Sequence, residues 1–284
     1  MANTNIRCCK DLLKAVERNC LKCVQILCDD PEQQSLTDYN KRSALHLAVG
    51  NLSILIYLLN KIAFLINEKD DYGNTPLCYF LDRKIHSLTV VKLLISRGAD
   101  VNILNNIRRN SLSLAANSNL EIFKYLWENG AKSHLECGRI NVLLRCAHLC
   151  NDIELFKYIL ENKTSLNVDP VNDETLNGQN ILHIICKSRD VLVEKIEILL
   201  QDEHFSSFGL NKNINKKDNL GMTPLMNFLE YRYEGTDYNI EFLKIFLSLG
   251  ADPLIENEGR SCIDQTQILS FKKIMIEYQD LPPY

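Results

Sequence analysis

The sequence predicts an all-α solenoid of stacked helix-turn-helix units with β-turn fingers between them. Three observations carry that expectation. One phrase recurs in register, as Leu88-Thr-Val-Val-Lys-Leu-Leu-Ile-Ser-Arg-Gly-Ala-Asp-Val-Asn102 and as Asn239-Ile-Glu-Phe-Leu-Lys-Ile-Phe-Leu-Ser-Leu-Gly-Ala-Asp-Pro253. A turn-plus-helix opener precedes each copy, Gly73-Asn-Thr-Pro-Leu77 and Gly221-Met-Thr-Pro-Leu225. Degenerate copies of the opener mark five further units, and a fixed period of this kind is the mark of a repeat architecture.

Aligned on the Thr of Thr-Pro-Leu, the units begin at Ser43, Thr75, Asn110, Asn141, Asn180, Thr223 and Ser261. The first three intervals are 31–35 residues long and the later three 38–43, so the later units carry insertions. A Thr, Ser or Asn at this position caps a helix by accepting a bond from a free backbone N–H. Pro76 and Pro224 then enter the first helical turn, where no N–H is needed. Leu45, Leu77, Leu112, Leu143, Leu182 and Leu225 follow and point into the stack. The second helices read Ile54–Leu59, Val90–Ile95, Ile122–Trp127, Leu155–Leu160, Ile196–Leu200 and Phe242–Leu247, with apolar residues at helical spacing. Gly98, Gly130 and Gly250 stand where these helices stop, as a left-handed C-cap requires. Residues 1–38 read as an N-terminal cap, a helix pair lacking the opening turn. Residues 39–258 hold about six repeats, and 259–284 a shortened capping repeat and tail. The whole of 1–284 is expected to be one domain. Insertions fall at 169–177, 204–214 and 230–239, and long loops on a regular scaffold are either functional or tolerated drift.

These motifs resemble the ankyrin repeat, over nearly the whole chain. The resemblance implies a protein-binding fold whose first helices and turn tips form a concave surface. It also implies that His46 and His183, one position after the opener leucine, bond across to the next unit's turn. Openers such as Thr75-Pro-Leu-Cys-Tyr-Phe-Leu81 and Thr223-Pro-Leu-Met-Asn-Phe-Leu229 look like the irregular repeats of poxvirus ankyrin proteins, which act in host range and immune evasion. Many of those carry a C-terminal F-box-like segment that recruits a ubiquitin ligase. No such segment follows Tyr278, so a substrate adaptor for a ubiquitin ligase is the alternative reading. Leu94, Asp100, Val101 and Asn102 resemble the pattern that asparaginyl hydroxylases accept.

Composition narrows the remaining classes. Of 284 residues, 46% are hydrophobic and 24% charged, as in ordinary folded domains. The net charge of -4 supplies no general attraction to nucleic acid or anionic membrane. No apolar run approaches the roughly 18–20 residues that span a bilayer, and Met1–Lys10 lacks the apolar core of a secretory signal. A cytoplasmic or nuclear monomer is expected. Eleven cysteines, mostly in apolar helix patterns, fit small buried hydrophobes kept reduced.

The search for chemistry yields little. Cys20-Leu-Lys-Cys23, with Cys28 following, is half of a zinc or thiol-redox motif, but a zinc site needs four donors and the second half is missing nearby. Packing is the favoured reading. Cys8-Cys9 lies in the cap and Cys146 and Cys150 on a later helix, and neither pair is expected to supply a site. His86, His134, His148 and His204 show no partnered Ser or Cys. No Gly-rich phosphate loop exists. The expectation is no enzyme, no cofactor and no metal.

A partner would meet the finger tips. Tyr39 and Tyr72 lie on adjacent fingers, and exposed Tyr is a common interface anchor. Arg42, Arg108, Arg109 and Arg139 give a basic stripe on an acidic chain, and Asn74 stands beside it. The matching partner is a protein with an acidic or phosphorylated segment, which Arg reads bidentately. No nucleic acid and no membrane is expected to bind.

Overall fold

The computed structural model describes residues 8–83, 87–133, 141–188, 192–232 and 235–279. They are helical throughout, and their only β pairing is two isolated bridges, Thr37 with Ser43 and Asn257 with Arg260. The chain divides into two compact units, Met1–Gly138 and Arg139–Tyr284.

The first unit contains α1 (Leu12–Glu17), α2 (Leu21–Leu27), α3 (Pro31–Gln34), α4 (Ala44–Ala48), α5 (Leu52–Lys61), α6 (Pro76–Asp82), α7 (Leu88–Ser96), α8 (Ser111–Ala115) and α9 (Leu120–Glu128). The second contains α10 (Val142–Leu149), α11 (Ile153–Glu161), α12 (Lys163–Leu166), α13 (Ile181–Lys187), α14 (Leu192–Leu200), α15 (Leu210–Asn213), α16 (Pro224–Glu230), α17 (Asp237–Ser248), α18 (Cys262–Gln265) and α19 (Leu269–Gln279). In each unit the first helices of successive repeats pack in one row: α1, α4, α6 and α8, and then α10, α13, α16 and α18. Second helices pack outside them, with α2 on α5, α7 on α9, and α11, α14, α17 and α19 in succession.

The register holds. All seven aligned residues occupy N-cap positions. Asn110 Oδ1, for example, accepts the Ser113 N–H at 2.9 Å. The six opener leucines are fully buried.

Five fingers share one device. The first residue's side-chain oxygen accepts the backbone N–H groups two and four positions on, from Asp38, Asp70, Asn105, Thr175 and Asp218. This is the Asx-turn and its hydroxyl analogue. The fourth residue of each finger has positive φ: Lys41, Gly73, Arg108, Gly178 and Gly221. Successive fingers are then tied by backbone bonds, Asp71 N–H to the Asn40 carbonyl and Asn106 N–H to that of Tyr72 in the first unit, and Asn219 N–H to that of Asn177 in the second.

A second tie repeats on the other side. Asn67, Asn102 and Asn215 each donate to the glycine carbonyl ending a second helix, at Gly98, Gly130 and Gly250, and accept the N–H two residues beyond it. Both ends of the Asn102 amide are therefore engaged. Each such asparagine makes two bonds worth roughly 0.5–1.5 kcal/mol apiece. Asn67→Ala and Asn102→Ala are each expected to lower the unfolding free energy by about 1–2 kcal/mol in urea titrations. A loss within error at both positions would show that water replaces these bonds at no cost.

The insertions are largely absorbed into structure. Within 204–214, Phe205 is fully buried, and Asn213 donates to the carbonyls of Val171 and Gly209 while accepting from Asn180 Nδ2. The segment thus packs on the other insertion, 169–177. The end of 230–239 lengthens α17, which starts at Asp237 with Thr236 as its cap, rather than at Phe242 as the apolar pattern suggests. Tyr238 then reaches α14, donating to Glu194 Oε2 at 2.9 Å.

Candidate functional site

The inner face of the first unit holds a groove of about 330 Å³, walled by the fingers at 38–42, 70–74 and 105–109 and floored by α6. Its rim is apolar and exposed. Tyr72 is 63% exposed and Ile107 57%, and Tyr39, on the first finger but outside the groove's lining, is 86% exposed. Tyr72 and Ile107 occupy the same third position of adjacent fingers, pinned there by N–H bonds to Asp70 and Asn105.

The groove's polar floor departs from the expected stripe. Arg42 is not presented outward. Its Nε donates to Asp38 Oδ2 at 2.7 Å and its Nη1 to the Tyr79 hydroxyl at 2.8 Å, and its guanidinium lies over the Tyr79 ring. Burial pushes the Asp38 carboxyl up, but Arg42 and two backbone N–H groups outweigh that and hold it below the usual carboxylate range. The reason is local: Asp38 sits four residues before Arg42 across the same turn. Asn74 is also buried, its Oδ1 accepting from Asn105 Nδ2 at 2.9 Å, so it joins two fingers.

Arg42's inward turn leaves a mark. In the second unit Gln179 ends its finger and donates to Asp218 Oδ2 of the next, at 2.8 Å. The equivalent pair in the first unit would be Arg42 and Asp70. Asp70 is buried, its Oδ1 holds two backbone N–H groups, and its Oδ2 has no hydrogen-bond partner. A buried acceptor without a donor is costly, and here it lines the groove. Tyr79, Arg83 and Ile107 complete the wall. Tyr79 accepts from Arg83 Nη1 at 2.7 Å, and its ring meets that of His46 edge-on. Of these wall residues, Ile107 was recoverable from sequence, because it shares Tyr72's place in its finger.

Arg108 is exposed and holds the left-handed conformation (φ 58°) that Gly73, Gly178 and Gly221 occupy elsewhere. Lys41 does the same (φ 56°) and pairs with Asp71. Two fingers thus place a cation where three place glycine. Arg109 is half-buried behind the tip. Arg139 lies outside the described residues.

The two repeat histidines do what the family pattern implies. His46 Nε2 donates to the Asn74 carbonyl and His183 Nε2 to that of Met222, both at 2.9 Å. Neither is available for catalysis. Most of the described cysteines are buried, as expected of small hydrophobes, but Cys8 is exposed and Cys20 half-buried. Cys8 and Cys9, a pair expected to supply no site, lie against Cys20 and Cys23.

The model for ankyrin repeats in three copies matches residues 60–137 and 143–257, more than half of the chain. The chain belongs to the ankyrin repeat family. It is similar to the ankyrin repeat protein OPG189 of variola virus, 24% identical over 223 residues, which cover 76% of this chain and 30% of the viral protein. It is also similar to the ankyrin repeat-containing protein C6C3.08 of Schizosaccharomyces pombe, 33% identical over 88 residues, or 30% of this chain and 38% of the yeast protein. A putative ankyrin repeat protein of fowlpox virus, FPV219, is 35% identical over 66 residues, covering 23% of this chain and 15% of its own length. The chain thus spans less than a third of the variola relative. Ankyrin repeats are a protein-interaction fold, and among the described residues no helix is long and apolar enough to cross a membrane.

Proposed function

We propose that this chain captures a partner protein in the groove of its first unit, anchored by Tyr39, Tyr72 and Ile107 and oriented by Asp70. The unpartnered Oδ2 of Asp70 carries the reading: a partner that seats a hydrogen-bond donor there relieves a buried, unsatisfied acceptor. Arg108 and Arg109, with Lys41, add a cationic rim, which suits a partner segment whose flanks are acidic or phosphorylated. Holding Arg108 in a left-handed turn costs about 1 kcal/mol that glycine would avoid, a cost consistent with a functional contact. Similarity to poxvirus ankyrin repeat proteins suits a host-directed role, and we place that role in the cytoplasm or nucleus, acting by sequestration of the captured protein.

The test is affinity capture from host-cell lysate with three variants beside the wild type. Asp70→Asn keeps the turn, since Asn105 makes the same turn in the next finger. Tyr72→Ala and Arg108→Glu/Arg109→Glu change exposed or half-exposed positions. A single partner whose capture falls about tenfold or more in all three, with melting unchanged, is expected for an interface anchor set. Equal capture by all four proteins would move the interface away from this groove.

A further inference from the structure

Cys8 and Cys9 precede α1, and Cys20 and Cys23 open α2. A tight reversal brings the pairs together. The Asn19 and Cys20 N–H groups close α1 onto the carbonyls of Val16 and Ala15, with Asn19 left-handed at φ 53°. Arg18 Nη1 donates back to the Cys8 carbonyl, holding the leading segment over the turn. Cys8 Sγ then lies 3.1 Å from Cys23 Sγ, 3.4 Å from Cys20 Sγ and 3.7 Å from Cys9 Sγ, and all four sulfurs fall within 4.8 Å of one another.

We propose that Cys8, Cys9, Cys20 and Cys23 form a structural tetrahedral zinc(II) site that fastens the N-terminal helix pair. Four thiolates at a Zn–S distance of about 2.3 Å sit about 3.8 Å apart, so the ion is admitted once the 3.1 Å pair opens by about 0.7 Å and the widest pairs, at up to 4.8 Å, close by up to about 1 Å. Four sulfur donors and no open position suit zinc better than a hard cation. Packing does not account for the cluster. A cysteine serving as a small hydrophobe is buried, whereas Cys8 is exposed and Cys20 half-exposed. The helices it joins are short, six residues in α1 and seven in α2, and bury little by themselves, so a tie of this kind has a structural purpose. On binding, four S–H bonds ionise, four Zn–S bonds form, four protons pass to solvent, and no electron is transferred.

The experiment uses the full chain, stripped with chelator under reducing conditions and titrated with Zn(II) alone, with Co(II) as a spectroscopic probe. One zinc per chain is expected after desalting, and Co(II) shows the thiolate charge-transfer and d–d bands of a tetrahedral all-sulfur site. Cys8→Ser, at an exposed position, weakens binding at least as much as the roughly 10–100-fold lost with an outer-shell partner. Cys20→Ser/Cys23→Ser abolishes it, and Cys186→Ala in the second unit leaves it unchanged. Zinc slows amide exchange in α1 and α2. Three results would overturn the proposal: no retained zinc, undiminished, wild-type zinc binding by the Cys8 and Cys20/Cys23 variants, or a metal-free chain holding a disulfide among these four cysteines when isolated from reducing cytosol.

Discussion

Replacing Gly73 by alanine is expected to lower the unfolding free energy by about 2–4 kcal/mol, combining the strain of a left-handed residue with overpacking. Gly73 has φ +75°, and a Cβ there would collide with both the side chain and the backbone N of Asn106 on the next finger. That neighbour cannot retreat freely. Asn106 Nδ2 donates to the Asp71 carbonyl at 2.8 Å and its backbone N–H to that of Tyr72 at 2.9 Å. Gly98 supplies the control. It too has positive φ (+93°), but a Cβ there meets nothing within 4 Å. Gly98→Ala therefore reports backbone strain alone, about 1–2 kcal/mol. Denaturant titration of both variants separates the two causes. Equal losses would mean that adjacent fingers are not held in contact. A larger loss at Gly73 ties the groove to stability, because the bonds that stop Asn106 from moving also fix Tyr72 at the rim.

The repeat was legible because its information is local. A capping side chain lies three residues from the N–H it accepts, and a buried leucine two from its cap, so Thr75, Asn110 and Thr223 could be placed from sequence alone. The ties between repeats were less legible. Asn67 and Asn102 bond backbone groups about thirty residues ahead, and only the stacked geometry shows where those groups arrive. Arg42 shows the same limit at the site. Its place in the finger reads as an exposed tip, but Asp38 and Tyr79 draw it inward, and Asp70 loses the partner that Asp218 has. The cysteine cluster escaped for a related reason. The second pair of thiols precedes Cys20-Leu-Lys-Cys23 instead of following it, and only the reversal at Asn19 brings the pairs together.

Acid is expected to loosen the fold through its buried histidines. His183 is fully buried, with Nε2 donating to the Met222 carbonyl and Nδ1 facing Asn180. Burial lowers its pKa to about 4, from 6.5. His46 is shifted in the same direction by the same cause. The fold thus favours neutral imidazole, and the unfolded chain binds more protons between those values. Stability from this term is complete above pH 6.5 and is lost as pH falls toward 4. For His183 the full loss is about 3 kcal/mol, and about 2 kcal/mol of it falls between pH 7 and pH 4.5. Asp38, Asp169, Asp202 and Asp218 have lowered values, so their contribution goes only at still lower pH. Asp173, raised by burial, acts in the opposite sense. The two effects separate in a His183→Gln variant, whose unfolding free energy is expected to be lower at pH 7 and to fall less steeply down to pH 4.5, with His46 supplying a remaining slope. A wild-type slope that persists unchanged in His183→Gln would assign the acid sensitivity to other groups. A slope reduced by about half or more would show that the histidine joining one repeat to the next is also where the stack yields first to protons.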